Sequence, residues 1–199
     1  MENVVFNSQF ITLDNLKEKG LSYYKINKLV EEGKLNKINR STYENVNYKG
    51  DYNDFCVANA YIPDGVICEY SAAYYYGLSD YLPPYINVAI DRDKKVSTLP
   101  KNPSIELRYY SDSRMNIGVI EVNENGNSYK IFDKEKTVID MLSFRNKVSI
   151  EDTMKVLKNY LNRKDRDLNS LHRYAKELRC EKILQTYLEA LLWLKLMHL

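Results

Sequence analysis

The apolar residues of the first third of the chain change their spacing twice. They recur at helical spacing behind Thr12 and again behind Ser22, and both hydroxyl residues are typical helix N-caps. Gly20 and Gly33 follow the two runs, as glycine commonly does where a helix ends. The apolar residues of the two runs are Leu13, Leu16, Ile26, Leu29 and Val30. We therefore predict two short helices separated by a tight turn.

Behind the second glycine the pattern becomes that of short strands. KLNKI (residues 34–38) and TYENV (residues 42–46) flank the polar residues NRS, which predicts a hairpin. Helix, turn, helix and hairpin in this order are typical of a winged helix-turn-helix. The polar, glycine-containing segment at residues 49–54 then indicates a boundary. We predict a winged helix-turn-helix domain over residues 1–48 and a second domain over residues 52–199.

The second domain mixes the two patterns. A helix is predicted over residues 52–61, and another at SAAYYYGL with Ser71 as its N-cap. The next four apolar segments have strand character, and Asn125-Gly126 is a hairpin signal between the last two. These segments are YINVAI, IELRYY, IGVIEV and SYKIF. DKEKTVIDML and the chain behind Ser149 return to helical spacing. The predicted fold is α+β, a winged helix-turn-helix followed by a mixed α/β C-terminal domain that ends in a helical segment.

The composition is that of a soluble globular protein, with 44% hydrophobic and 28% charged residues. The start of the chain lacks the pattern of a signal peptide, and no stretch approaches the roughly 18 apolar residues of a membrane span. Three cysteines without CxxC spacing argue against a zinc site and against a disulfide framework. We therefore expect a cytoplasmic protein with no membrane partner and no metal.

Positive charge is concentrated around the predicted second helix. Residues 17–41 hold seven Lys or Arg against three acids, whereas the whole chain has a net charge of +2. Opposite its apolar face this helix carries a ring, an amide and two cations, which suit the phosphates and base edges of DNA. Basic residues on and near the hairpin would add contacts to the backbone or the minor groove. The predicted DNA-binding residues are Tyr24, Lys25, Asn27, Lys28, Lys34, Lys37 and Arg40.

Three blocks of the chain resemble, in order, the AbiEi family. This family is the antitoxin and transcriptional-repressor component of type IV toxin-antitoxin systems related to phage abortive infection. The first block, TLDNLKEKGLSYYKINKLVEEGKLNKINRSTYENV, resembles its winged helix. SAAYYYGLSDYLPPYINVAI resembles its serine-alanine helix and the following strand, and DKEKTVIDML the start of its threonine-to-aspartate helix. The chain departs from many relatives at Lys134 and Lys136, where these carry proline and arginine.

The resemblance implies a two-domain antitoxin that is not an enzyme and has no catalytic residues. Its winged helix would bind double-stranded DNA at inverted repeats in the promoter of its own operon and repress transcription, which needs no cofactor. Its C-terminal domain would counteract a cognate AbiEii toxin, a nucleotidyltransferase-like protein. Type IV antagonism implies that no obligatory complex forms between antitoxin and toxin.

Other classes of function stay open. One alternative is that the second helix is an ordinary solvated surface. Glu31 and Glu32 support this alternative, because they would repel phosphates if they faced a duplex. A nucleic-acid-processing enzyme would use the winged helix for targeting and Asp91 and Asp93 as ligands of a divalent metal. A protein-interaction module would bind a partner through the winged helix. A hydrolytic triad built on Ser71 and His172 is disfavoured, because Ser71 lacks the G-x-S-x-G elbow.

Three further features have structural interpretations. For Thr137 we predict a helix cap or a backbone hydrogen bond, and for Asp140 a hydrogen bond or a lysine pair. The last helix becomes apolar on nearly all sides behind Leu191, which favours burial over a subunit contact or a frayed end. Basic residues between Lys155 and Arg179 form either a second nucleic-acid face or, as we favour, a solvated helical surface.

Overall fold

The computed structural model describes residues 6–124, 126–144 and 148–197. Within these ranges the protein is α+β, with one three-stranded sheet and one five-stranded sheet. The fold class predicted from the sequence is confirmed at this level. We refer to residues 6–48 as the N-terminal unit and to the described residues from 52 onward as the C-terminal region.

The N-terminal unit contains two short helices and a small antiparallel sheet. Its strands are ordered β1-β3-β2, with Ile11 opposite Tyr43 and Asn36 opposite Glu44. Both predicted helices and the hairpin are confirmed, and β1 is an additional strand that the sequence pattern did not indicate. The elements are β1 (Phe10–Thr12), α1 (Leu13–Glu18), α2 (Tyr23–Glu31), β2 (Leu35–Lys37) and β3 (Thr42–Asn45).

The predicted helix caps of this unit are present. The Thr12 hydroxyl accepts a hydrogen bond from the Asn15 amide at 3.2 Å. The Ser22 hydroxyl accepts one from the Lys25 amide at 3.4 Å. Gly20, in the turn between the helices, has a φ of +76°, a left-handed conformation that glycine adopts without steric cost. A small core with Leu16, Leu21, Ile26, Leu35 and Tyr43 then holds the helices against the sheet.

The C-terminal region is built on the five-stranded sheet, whose order is β6-β5-β4-β8-β7. The pairs β5–β6 and β4–β8 are parallel and the others are antiparallel, which confirms the predicted mixed sheet. Its strands are β4 (Val66–Ile67), β5 (Ile86–Asp91), β6 (Ile105–Tyr110), β7 (Val119–Glu124) and β8 (Asn127–Phe132). Its helices are α3 (Asp54–Tyr61), α4 (Glu69–Tyr75), α5 (Asp112–Met115), α6 (Lys134–Ser143), α7 (Ile150–Leu161), α8 (Leu168–Glu177) and α9 (Glu181–Met197).

The predicted hairpin near Asn125 joins β7 and β8. Glu124 lies opposite Asn127, and Gly126 has a φ of +79°. Asn125 itself lies outside the described residues.

The prediction that Ser71 caps a helix is wrong. Helix α4 begins two residues earlier, at Glu69, and Ser71 is a buried residue within it. The Ser71 hydroxyl instead accepts a hydrogen bond from the Asn87 amide of β5 at 2.9 Å. The hydroxyl therefore joins the helix to the sheet rather than satisfying the start of the helix.

The predicted burial of the last helix is also wrong for its second half. Leu184 is 1% exposed and lies in the core of α6, α7 and α8, but Leu192, Trp193 and Leu196 are 61%, 69% and 66% exposed. Apolar residues occur in both halves, but the neighbouring helices cover Leu184 and leave Leu192, Trp193 and Leu196 exposed. Among the described residues, no helix is both long and apolar enough to cross a membrane.

The N-terminal unit and the C-terminal region are joined by side-chain hydrogen bonds. The Asn127 side-chain oxygen accepts hydrogen bonds from the Gln9 amide at 2.8 Å and the Phe10 amide at 3.1 Å. On the hairpin side, the Asn39 side-chain amide donates to the Ala60 carbonyl at 2.8 Å. These bonds fix both ends of the small sheet to the C-terminal region.

Candidate nucleic-acid interface

Helix α2 presents two contrasting faces. Ile26 is completely buried, and Leu29 and Val30 pack partly against the same core. The residues between them point outward, with Tyr24 78% exposed. The predicted contact residues on this helix are all exposed, namely Tyr24, Lys25, Asn27 and Lys28. Their exposure follows from the helical period, because they occupy the angles that the core does not use.

The start of α2 is held firmly. Residues 19–22 form a tight turn after α1, and Leu21 in this turn is 7% exposed and belongs to the core. Lys17 of α1 lies over the ring of Tyr23, 4.9 Å from its centroid. The hydrogen bond to Tyr23 raises the pKa of Lys17. A fixed first turn is what a helix needs to place side chains against a rigid partner.

The hairpin supplies the other predicted cations. Lys37 ends β2, and Arg40 lies in the turn before β3, both exposed. The side-chain oxygen of Asn39 accepts a hydrogen bond from the Ser41 amide at 2.9 Å, while its amide group bonds the end of α3. Arg40 is therefore carried by a turn whose neighbours are anchored on both sides.

The cations of this surface differ in their partners. Lys34 pairs with Glu32 at 2.8 Å, and the hydrogen bond from Lys34 lowers the pKa of that carboxyl group. Lys34 is consequently offset by its own neighbour. The other predicted cations form no ion pair with any residue that the structure describes. These cations are Lys25, Lys28, Lys37 and Arg40.

The two aspartates weighed as metal ligands lie where β5 ends. The Asp91 carboxylate accepts a hydrogen bond from the Asp93 amide at 2.8 Å, which closes a local turn. Nowhere in the described ranges are three or more His, Cys, Asp or Glu side chains grouped to hold a metal ion. Ser71, the other catalytic candidate, is buried and bonded to β5, whereas His172 is exposed on α8.

A second group of charges lies inside the C-terminal region. The Asp140 carboxylate is completely buried and pairs with Lys136, four residues before it, and with Arg114 of α5. Lys136 is also completely buried, with its ammonium group 3.9 Å from the centre of the Phe132 ring. Burial lowers the pKa of Lys136, and the Asp140 charge opposes that shift. The predicted lysine pair of Asp140 is confirmed.

The predicted backbone bond of Thr137 is confirmed as well. Its hydroxyl donates to the Asp133 carbonyl at 2.7 Å. Arg114 was not predicted as a member of this group, because it lies 26 positions before Asp140 and only the fold brings the two together. Arg114, Lys136 and Asp140 connect α5 to α6. Their contacts with one another indicate a structural role for these three residues.

Lys94 and Lys95 are further candidate residues that the sequence analysis did not assign to a site. They follow β5, yet the fold places them in the same cleft as Arg40 of the hairpin. More than fifty positions separate them from Arg40, so that no local pattern connects them.

These features define an α+β protein whose N-terminal unit exposes Lys25 and Lys28, together with Glu31, on a helix beside a hairpin that carries Lys37 and Arg40. Comparison of the chain with protein-family models finds no match, and comparison with curated proteins finds none either. The likeness to the AbiEi family therefore rests on the three sequence blocks alone.

Proposed function

We propose that the N-terminal unit is a winged helix-turn-helix and that the protein is a DNA-binding transcriptional autorepressor. The observation that carries the proposal is the exposed pair Lys25 and Lys28 on α2, which form no ion pair among the described residues and follow directly behind a tight turn. The order of helices and strands and the β1-β3-β2 sheet also fit the winged class. Exposed lysines facing away from a small core are the expected electrostatic footprint for DNA.

In this proposal α2 enters the major groove and the hairpin lies on the adjacent backbone. Asn27 is placed to read an adenine edge, because an amide can both donate to and accept from adenine. Lys25 and Lys28 flank it and would neutralise phosphates. Lys37 and Arg40 extend the contact beyond the helix, with arginine suited to a narrow minor groove. No cofactor takes part, since repression follows from occupancy of the promoter.

The proposal extends to the antitoxin role that the family resemblance implies. The C-terminal region would counteract a nucleotidyltransferase-like AbiEii toxin without forming an obligatory complex. The support here is the sequence of the second and third blocks, which lie in α4, β5 and α6. In the third block, Lys136 and Asp140 form a buried ion pair, so these two residues have a structural role.

The first test is binding of the full chain to the DNA immediately upstream of its own gene. Fluorescence anisotropy at two salt concentrations, with a scrambled duplex as competitor, should show sequence preference and a steep loss of affinity with salt. Asn27→Ala should lose preference at one base pair, and Lys28→Ala should weaken binding to all sequences. Lys176→Ala, which removes an exposed charge from α8, is the matched control and should bind normally.

Absence of binding at low salt would refute the autorepressor. Equal binding to operator and scrambled DNA would refute the assignment of α2 as a reading helix. The antitoxin role is tested separately, by co-expression with an AbiEii toxin. Growth should be restored by the full chain and also by the Lys28→Ala chain, because toxin antagonism is assigned to the C-terminal region. Loss of rescue only in the Lys28→Ala chain would contradict that division.

A further inference from the structure

A cleft of about 310 Å³ lies where the hairpin of the N-terminal unit meets the C-terminal region. One wall is the hairpin turn, residues 38–40, and the opposite wall is the segment at residues 94–98 behind β5. The end of α3, residues 61–64, and Ile90 complete the lining. The cleft exists only because the two parts of the chain are joined.

The rim of the cleft is cationic. Arg40 comes from one wall and Lys94 and Lys95 from the other, and the hydroxyls of Ser97 and Thr98 lie on the same side as the lysines. Asp64 is the only carboxylate of the lining, and it pairs with Lys94. The hydrogen bond from Lys94 lowers the pKa of Asp64. Three cations and one carboxylate leave a formal charge of +2.

The floor of the cleft is apolar. Ile62 and Ile90 lie beneath it, 4% and 1% exposed, and the half-buried Ile38 and Val96 supply the apolar surface that a ligand can reach. The polar group of Asn39 is already engaged, because its amide bonds Ala60 and its oxygen bonds Ser41. The floor therefore offers contact area to the flat face of a ring. It offers few hydrogen bonds to a group that is rich in hydroxyls.

We propose that this cleft binds the phosphate ester of a nucleotide, with phosphate at the rim and the base over the floor. The arginine, lysine and hydroxyl groups that line this one cleft are the donors that phosphate oxygens prefer. A volume of about 310 Å³ lies at the lower end of the range for small-molecule sites, which fits one nucleotide unit. The phosphate comes either from a free mononucleotide or from DNA that α2 holds, and this second source alone rests on the proposed function.

The test compares Lys95→Ala with Lys101→Ala in the full chain. Both lysines are exposed and lie on the connection between β5 and β6, but Lys101 does not line the cleft. The first arm is calorimetric titration with adenosine 5′-monophosphate, adenosine and inorganic phosphate. The mononucleotide should bind at least tenfold more tightly than either fragment, and Lys95→Ala should weaken it at least tenfold while Lys101→Ala does not.

The second arm measures the salt dependence of binding to the upstream duplex. If DNA supplies the phosphate, Lys95→Ala should reduce the slope of log affinity against log salt by about 1, and Lys101→Ala should leave it unchanged. A response in the first arm assigns the cleft to a free nucleotide, and a response in the second alone assigns it to DNA. Equal behaviour of Lys95→Ala and Lys101→Ala in both arms overturns the inference. Mononucleotide binding by a chain that binds no DNA would refute the autorepressor and leave the cleft assignment standing.

Discussion

Lysines occupy opposite environments in the two parts of the molecule. In the N-terminal unit, Lys25 and Lys28 are exposed and have no ion pair among the described residues. In the C-terminal region, Lys136 is completely buried and pairs with Asp140, beside Arg114. A cation in water keeps its charge available for a partner, whereas a buried cation is tied to its own carboxylate. In the N-terminal unit the lysines are therefore available for the proposed binding to DNA. In the C-terminal region the buried lysine stabilises the fold.

The largest expected effect is the loss of stability when a buried aspartate is replaced, compared with an exposed one. Asp140 and Asp165 each pair with two cations, but the Asp140 side chain is 0% and the Asp165 side chain 55% exposed. Asp140→Ala should destabilise the protein by about 3–5 kcal/mol, because two cations lose their buried partner. Urea unfolding measures the change. Asp165→Ala is the control and should leave the unfolding midpoint nearly unchanged; equal losses would contradict the contrast.

The second effect is the slow reaction of the thiols. All three cysteines lie in the C-terminal region, and all are buried and free. Burial, with a smaller contribution from Glu124, raises the pKa of Cys56 to about 11. Burial also raises the pKa of Cys68 and Cys180. A raised pKa means less thiolate at a given pH, so the reaction of native Cys56 with a disulfide reagent should be slow at pH 8.

The rate of this reaction should increase about tenfold per pH unit from pH 8 to pH 10, as the thiolate fraction grows. Absorbance at 412 nm with Ellman's reagent measures it, and the chain in denaturant is the control in which all three thiols react at once. Asp140→Ala should accelerate the native reaction because it loosens the region that holds the thiols. A rate independent of pH would instead indicate that opening of the region limits the reaction.

The third effect concerns the exposed face. The double change Lys25→Ala, Lys28→Ala should leave the free energy of unfolding nearly unchanged, because neither lysine has a partner to lose among the described residues. If the proposed function holds, it should reduce the salt slope of DNA binding by about 2. Anisotropy titrations across a salt series measure the slope, with Lys176→Ala, Lys182→Ala as the charge-matched control. An unchanged slope would remove α2 from the interface.

The smallest effect comes from the ion pair at the end of α2. Glu32→Gln removes a negative charge and releases Lys34, which now pairs with Glu32 at 2.8 Å. DNA binding should tighten by about twofold to threefold, since one repelling charge is lost and one cation becomes available to phosphate. The same titrations measure it, with Glu177→Gln on α8 as the control. Weaker binding would indicate that Glu32 positions Lys34 productively.

Features that depend on neighbours along the chain were predictable from the sequence. Thr12 and Ser22 cap helices through bonds only three residues long, and the turn at Gly20 is set by its own backbone conformation. Asp140 and Lys136 lie one helical turn apart, so their pairing also follows from local spacing. Exposure of the candidate face of α2 follows from the helical period in the same way.

Features that depend on distant partners were not predictable. Strand β1 has three residues and is defined by its pairing with β3, about thirty positions later. Ser71 has the residue type of a cap, but the nearness of Asn87 decides its role. The second half of α9 is the more apolar half, yet Leu192, Trp193 and Leu196 are exposed, because a pattern does not report where the neighbouring helices end. The cleft that Arg40 shares with Lys94 and Lys95 also depends on residues far apart along the chain, so the sequence pattern did not predict it.

The Asn127 bonds have a mechanical consequence. One side-chain oxygen at the start of β8 holds two successive amides, those of Gln9 and Phe10, at the entrance to the small sheet. At the opposite end Asn39 holds the hairpin to α3. The N-terminal unit is therefore held at two places, and if it binds DNA as proposed, a torque that a bent duplex applied to α2 would pass into the five-stranded sheet. The angle between duplex and C-terminal region would then be a property of these two asparagines.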